Sequence, residues 1–192
     1  MTETFSVVLA DPPWKFKDRL PGRGRGAAKH YRCLSASELC TFPLPRLADD
    51  CVLFLWRVAS MQQEAIDVMS AWGFILKSEI VWRKQTCKGK RWFGMGRTVR
   101  GEHETCLIGT RGRPVRRSQS VRSTFEAPAG RHSEKPAGFY DTIETLYGGP
   151  YVELFARRPH AGWTSIGDEI RGDARPWVGS RSSLLANPGG SL

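Results

Sequence analysis

Asp11-Pro12-Pro13-Trp14 follows directly on the apolar run Val7-Val8-Leu9-Ala10. Proline cannot donate to a sheet ladder, so the pair ends the strand and stiffens the turn behind it. A carboxylate and a large flat ring are thereby displayed together at the carboxyl end of a predicted strand, where open α/β sheets hold ligands. An ionised carboxylate there accepts hydrogen bonds, and an indole offers a face for stacking. A strand that merely ends in a proline turn over a buried tryptophan uses the same four residues, so the rest of the chain has to choose between the two.

Charge narrows the choice of partner. Lysine and arginine exceed aspartate and glutamate by 29 to 19, a net charge of +10 that points to a polyanion. The excess is local. Arg111, Arg113, Arg116, Arg117 and Arg122 crowd one segment, and Arg19, Arg23 and Arg25 another. Both read as a phosphate-tracking groove around the site. The five cysteines are odd in number and lack C-x-x-C spacing, which disfavours a disulfide framework or zinc ribbon and suits a reducing cytoplasm. His30, His103, His132 and His160 are scattered without metal-ligand spacing, and no metal is expected. No apolar run approaches the ~20 residues that cross a membrane, and Met1-Thr2-Glu3-Thr4 lacks the order of a secretory signal.

These residues need a scaffold, and the hydrophobic pattern supplies one. Phe5 to Ala10 reads as a buried strand, as does the unbroken apolar run Cys51 to Trp56. Ser35-Ala36-Ser37-Glu38 is a capping box that starts a short helix. Met61, Ala65, Val68, Met69 and Trp72 recur at helical spacing, and Gly73 closes that helix. Strands are predicted at Phe74 to Trp82, Thr105 to Gly109 and Tyr151 to Ala156, with a short one near Trp163 to Ile166. Ser133 caps a predicted helix carrying Phe139, Ile143 and Leu146, which would put Lys135 in its first turn. Residues 15–34 and 83–132 contain long basic loops, read as mobile, the first too poorly framed by strand and helix to be a phosphate cradle. The expected organisation is one α/β domain over residues 1–171, with a mostly parallel, doubly wound sheet, and a disordered tail over 172–192.

Taken in order, the motifs resemble the MT-A family, which includes the catalytic subunit of the eukaryotic messenger-RNA adenosine methyltransferase and its bacterial and phage relatives. The likeness rests on Asp11-Pro12-Pro13-Trp14, Leu53-Phe54-Leu55-Trp56, Trp72-Gly73-Phe74 and Glu79-Ile80-Val81-Trp82. It continues through Glu104-x-Cys106-Leu107-Ile108-Gly109, His132-Ser133-Glu134-Lys135-Pro136, Tyr151 to Arg157 and Gly162-Trp163. The resemblance implies a single Rossmann-like methyltransferase domain, its Asp-Pro-Pro-Trp motif lying N-terminal to the cofactor-binding strand. It implies transfer of a methyl group from S-adenosylmethionine to the N6 amine of adenine. DNA is the expected polymer because compact relatives of this kind are often DNA enzymes; RNA, and a non-catalytic nucleic-acid-binding homologue, are the alternatives. A homo-oligomer and a partner subunit both stay open.

The resemblance also distributes roles. Asp11 and the Pro12 carbonyl, within the catalytic set Asp11, Pro12, Pro13 and Trp14, would accept hydrogen bonds from the target amine as its lone pair localises. Trp14 would stack on the base and Tyr31 would gate or stack beside it, unless Tyr31 is an ordinary loop tyrosine. Lys135 would hold the methionyl carboxylate, with Asp11, Glu153, Phe155, Arg157, Asp168 and Glu169 completing the cofactor set. One residue is inserted near Arg157, so Arg158 or His160 could share its role. Relatives carry Gly-Asn-Glu or Gly-Asn-Gln where this chain has Gly167-Asp168-Glu169, and some have an upstream acidic segment that touches the cofactor adenine. Arg111, Arg113, Arg116 and Arg117 would bind the phosphates of the substrate.

Overall fold

Phe5–Ala10 forms β1, and its alternate residues face two different cores. Val8 and Ala10 join one cluster with Leu53, Leu55, Val152 and Leu154. Val7 and Leu9 join the other with Val52, Phe54 and Trp56. That is why the apolar runs are continuous rather than alternating: a strand covered on both faces has no side to give to water. The computed structural model describes residues 3–15, 33–96, 98–130, 134–168 and 170.

The remaining strands are β2 (Leu47–Arg57), β3 (Ile75–Gln85), β4 (His103–Arg111), β5 (Thr124–Pro128), β6 (Tyr151–Leu154) and β7 (Trp163–Ile166). They make one sheet in the order β5-β3-β4-β2-β1-β6-β7. β1 pairs in parallel with β2 and β6, β3 with β5, and β6 with β7. β4 runs antiparallel to both of its neighbours. Six strands therefore end at one edge of the sheet, and β4 alone begins there.

Helices cover both faces. α1 (Ala36–Cys40) opens with the expected capping box between Ser35 and Glu38. α2 (Gln62–Ala71) follows a 3₁₀ turn at Ala59–Met61 and is closed by Gly73 at φ 82°, the left-handed turn that favours glycine. Trp72 ties the two helices by donating its indole N–H to the Leu39 carbonyl at 2.8 Å. α3 (Gly138–Leu146) packs Phe139, Ile143 and Leu146 into the opposite core. No helix among the described residues is long and apolar enough to cross a membrane.

Two expectations are corrected. α3 begins at Gly138, so Lys135 precedes the helix instead of lying in its first turn; Ser133 lies outside the described residues. The arginine-rich stretch after Gly109 is not all irregular loop, because Thr124–Pro128 adds an edge strand to β3. That strand alternates exposed and half-buried residues, too weak an apolar signal to read. The 172–192 tail and most of the 15–34 loop also lie outside the described residues.

Phe54 is fully buried and meets Phe139 and Tyr147 edge-on, with ring centroids 6.2 Å away in each case. Phe54→Ala is expected to cost about 3–5 kcal/mol of unfolding free energy, measured by urea denaturation with the slope unchanged.

Candidate active site

At the edge where six strands end, four chain segments bring charge to one point. Asp11 leaves the end of β1, Lys84 lies near the end of β3, Glu104 stands at the start of β4, and Lys135 lies between β5 and α3. Lys135 Nζ is 2.7 Å from Asp11 Oδ2 and 3.3 Å from Glu104 Oε2. Glu104 also pairs with Lys84. The ammonium of Lys135 lies 5.3 Å from the centroid of the Trp56 ring, and that of Lys84 5.0 Å from Trp82. Lys135 is thus held between two carboxylates and an indole face, and Lys84 between the Glu104 carboxylate and a second indole face.

Electrostatics follow from that packing. Burial pulls the Lys135 ammonium down, but Asp11 and Glu104 outweigh it and hold its pKa above the ordinary lysine value. Burial pushes Glu104 up, while Lys135 and Lys84 more than offset this and keep it below the usual carboxylate range. Cys106, fully buried two residues along β4, is pushed up by burial and further by Asp11. It is a thiol, not a nucleophilic thiolate.

A second polar group lies next to the first. Glu153 on β6 sits in register with Leu9 of β1 and faces α3, where Tyr140 donates its hydroxyl at 2.9 Å. Burial, with the nearby Asp11 charge, lifts Glu153 to about 7 against the lowering effect of the Tyr140 bond. The imidazole of His160 stacks on Tyr140 at 3.8 Å and 9°. One step past β6, Phe155 adopts φ 64° and packs 4.9 Å from Phe42. A non-glycine residue in that region is strained by about 1–3 kcal/mol, a pattern that concentrates at functional sites. Arg157 is half-buried beyond it, and Asp168 is exposed after β7.

The structure brings together Asp11, Lys135 and Glu153, and puts Phe155, Arg157 and Asp168 at the same sheet edge. Glu169, Tyr31 and the arginines at 19, 23 and 25 lie outside the described residues. Trp14 is corrected: it is only 4% exposed, donates its indole N–H to the Trp56 carbonyl at 3.0 Å, and belongs to the core. The proline turn folds it back, with Trp14 N–H donating to the Pro12 carbonyl at 2.8 Å, so no open face is presented for stacking. Pro13 accepts from Leu34 and Leu34 from Lys15, each at 2.8 Å, so the two ends of the 15–34 loop are fastened together.

The arginine groove is corrected as well. Because β4 runs antiparallel, it carries the chain away from Asp11, and Arg111 to Arg117 lie at the opposite edge. Arg111 donates to the Ala48 carbonyl at 2.6 Å and covers the Phe74 ring at 5.7 Å. Arg113 donates its backbone N–H to Asp50 at 2.7 Å, Arg116 bridges Tyr147, and Arg117 lines a pocket of about 300 Å³ with Arg113, Ser6 and Gly148. Sequence reading missed Glu104, Lys84 and Tyr140 as site residues. Glu104 was legible only as part of a motif, since the Trp82↔Glu104 register that sets it beside β3 is a tertiary fact.

Residues 5–169 match the MT-A70 family. The chain belongs to it. An Arabidopsis thaliana protein named N(6)-adenosine-methyltransferase MT-A70-like is 31% identical over 175 residues, covering 88% of this chain and 24% of its own length. The Homo sapiens N(6)-adenosine-methyltransferase catalytic subunit METTL3 is 32% identical over 176 residues, 88% of this chain and 28% of its own. This MT-A70 chain therefore spans about a quarter of such relatives. It matches the type II methyltransferase M.MunI of Mycoplasma sp at 29% identity over 187 residues, 86% of this chain and 78% of M.MunI.

The raised Glu153 sets a pH dependence. Between the unfolded carboxyl value of about 4.3 and the folded value of about 7, the folded protein holds the extra proton, so stability falls as pH rises across that window. Glu153→Gln keeps an acceptor for Tyr140 and removes the charge. Its melting temperature is expected to exceed that of the parent at pH 8, with the gap closing by pH 5, in a thermal scan across pH.

Proposed function

We propose that this chain transfers a methyl group from S-adenosylmethionine to the N6 amine of adenine in DNA. The observation that carries the reading is the Asp11–Lys135 contact at 2.7 Å, an acid and an ammonium paired at the carboxyl edge of an MT-A70 sheet. When bound, S-adenosylmethionine supplies a methyl group made electrophilic by its sulfonium. The donor set at the edge fits such a ligand. Lys135 offers an ammonium to its carboxylate, while Glu153 and Asp168 offer acceptors to its ammonium and ribose hydroxyls. The indole N–H of Trp56, buried and without a partner among the described residues, is a donor left over beside them. Arg157, Phe155 and Glu169 belong to the same set, as the ends of β6 and β7 lead into them.

The target amine has its lone pair delocalised into the purine ring, and Asp11 is the group that alters this. Accepting one N6 hydrogen on Asp11 and the other on the Pro12 carbonyl favours a localised lone pair as transfer begins. Pro12 already accepts from Trp14, which leaves its second lone pair for the substrate. Direct transfer needs no protein nucleophile. Trp14 serves here as the buttress that fixes the proline turn, and Tyr31 is assigned the aromatic contact with the base.

DNA is favoured by the match to a type II methyltransferase over 78% of that protein's length. RNA is the second reading, supported by the relatives named for adenosine. Labelled S-adenosylmethionine, incubated with DNA and RNA oligomers and followed by nucleoside analysis, is expected to yield N6-methyldeoxyadenosine; label in RNA alone assigns RNA instead. Asp11→Asn is expected to lower transfer about 100-fold or more while nucleic-acid binding persists, and wild-type transfer by that variant removes Asp11 from the mechanism. Lys135→Ala is expected to weaken cofactor binding about 10- to 100-fold by calorimetry.

A further inference from the structure

The β3–β4 connection leaves the sheet at the same edge as Asp11 and carries an unusual amount of exposed apolar surface. Its stem is ordered: Trp92 donates to the Lys84 carbonyl at 3.1 Å, Lys84 donates to the Glu102 carbonyl at 2.8 Å, and Arg91 pairs with Glu102 at 3.0 Å. Beyond the stem, Phe93 is 76%, Met95 85% and Val99 74% exposed. An apolar tip of this size on a monomer surface needs a reason.

The backbone holds the tip out. A Cβ on Gly94 would lie 2.1 Å from the Gly101 carbonyl oxygen, and one on Gly96 would lie 1.9 Å from that of Val99. Only glycine permits that closeness, so the loop is drawn shut at its base and its large side chains point outward. The same connection carries exposed cations. Lys88, Lys90, Arg91 and Arg100 are all on the surface, with the Arg100 guanidinium 5.0 Å from the Phe93 ring. Aromatic and thioether groups interleaved with cations suit a polyanion whose rings can be stacked upon. The stem is also wired to the site, since Lys84 pairs with Glu104 and Glu104 with Lys135, the partner of Asp11.

We infer that this loop is a nucleobase wedge: Phe93 and Met95 stack against the bases flanking the target adenine while Lys88, Lys90, Arg91 and Arg100 hold the adjoining phosphates. The inference deepens the nucleic-acid reading and rests on it for the identity of the polymer. Extruding an adenine from a duplex leaves a gap in the stack, and an exposed ring and thioether fill such a gap. The arginines at the opposite edge cannot do this, being turned away from Asp11.

The test measures binding apart from chemistry. Fluorescence anisotropy of a labelled mixed-sequence DNA duplex, its single strand and a matching RNA strand is compared for the parent chain and Phe93→Ser/Met95→Ser across a salt series. The double variant is expected to bind about 10-fold more weakly with an unchanged salt slope, because no charge is lost, and to keep its melting temperature, because both residues are exposed. A larger loss on duplex than on single strands supports insertion into a stack, and RNA as the strand most affected keeps the wedge and names its polymer. Lys88→Glu/Lys90→Glu is expected to flatten the salt slope. Unchanged affinity in Phe93→Ser/Met95→Ser overturns the wedge, as does a self-association of the parent that this variant abolishes, which would make the tip a contact with a second copy. If the parent methylates no oligomer yet the variant still binds less tightly, the methyl-transfer reading falls and the wedge stands. If the parent methylates and the variant binds as well, the wedge falls alone.

Discussion

A lysine ammonium with little access to water has to be neutralised on the spot, and Lys135 is neutralised by carboxylates from two different strands. Asp11 comes from the end of β1 and Glu104 from the start of β4, strands with β2 between them in the sheet. Lys84 then steadies Glu104 from β3. The network fixes how the end of β1, the hairpin of β3 and β4 and the segment entering α3 meet, and it does so at the point where the chemistry is assigned. Removing any one member leaves an unbalanced charge in a place that water reaches poorly, so stability and function are coupled here.

β4 is the strand that gives this arrangement its form. Were it parallel to its neighbours, its start would lie at the far edge and Glu104 with it. The reversal brings Glu104 to the site and in the same stroke carries Arg111 and its successors away. The arginine-rich stretch and the Asp-Pro-Pro-Trp motif therefore lie at opposite ends of the sheet, although the charge pattern alone suggests one groove.

What the sequence disclosed and what it withheld follow from the range of the forces involved. β1, the Ser35 cap, the α2 stop at Gly73 and β7 are set by a few adjacent residues, and all were legible. Asp11 and Lys135 were each legible through family resemblance, but their direct contact across 124 positions was not. The burial of Trp14 depended on a carbonyl from β2 that local pattern does not reveal. β5 escaped because an edge strand needs little hydrophobicity, and Glu104 because its partner Lys84 is a matter of register.

The fastening of Pro13 and Lys15 to Leu34 has a bearing on how such a domain changes over time. The two hydrogen bonds close the ring of residues 15–34 at its root, so the cost of bringing the ends together is met by the fixed part of the fold. For a chain segment so anchored, doubling the length adds only about 0.6 kcal/mol of closure entropy. Descendants can therefore lengthen, shorten or rewrite the chain between these two anchors without disturbing β1 or the core that Trp14 and Leu34 join. It is a place where the surroundings of Asp11 can change while the Asp11–Lys135–Glu104 network is inherited intact.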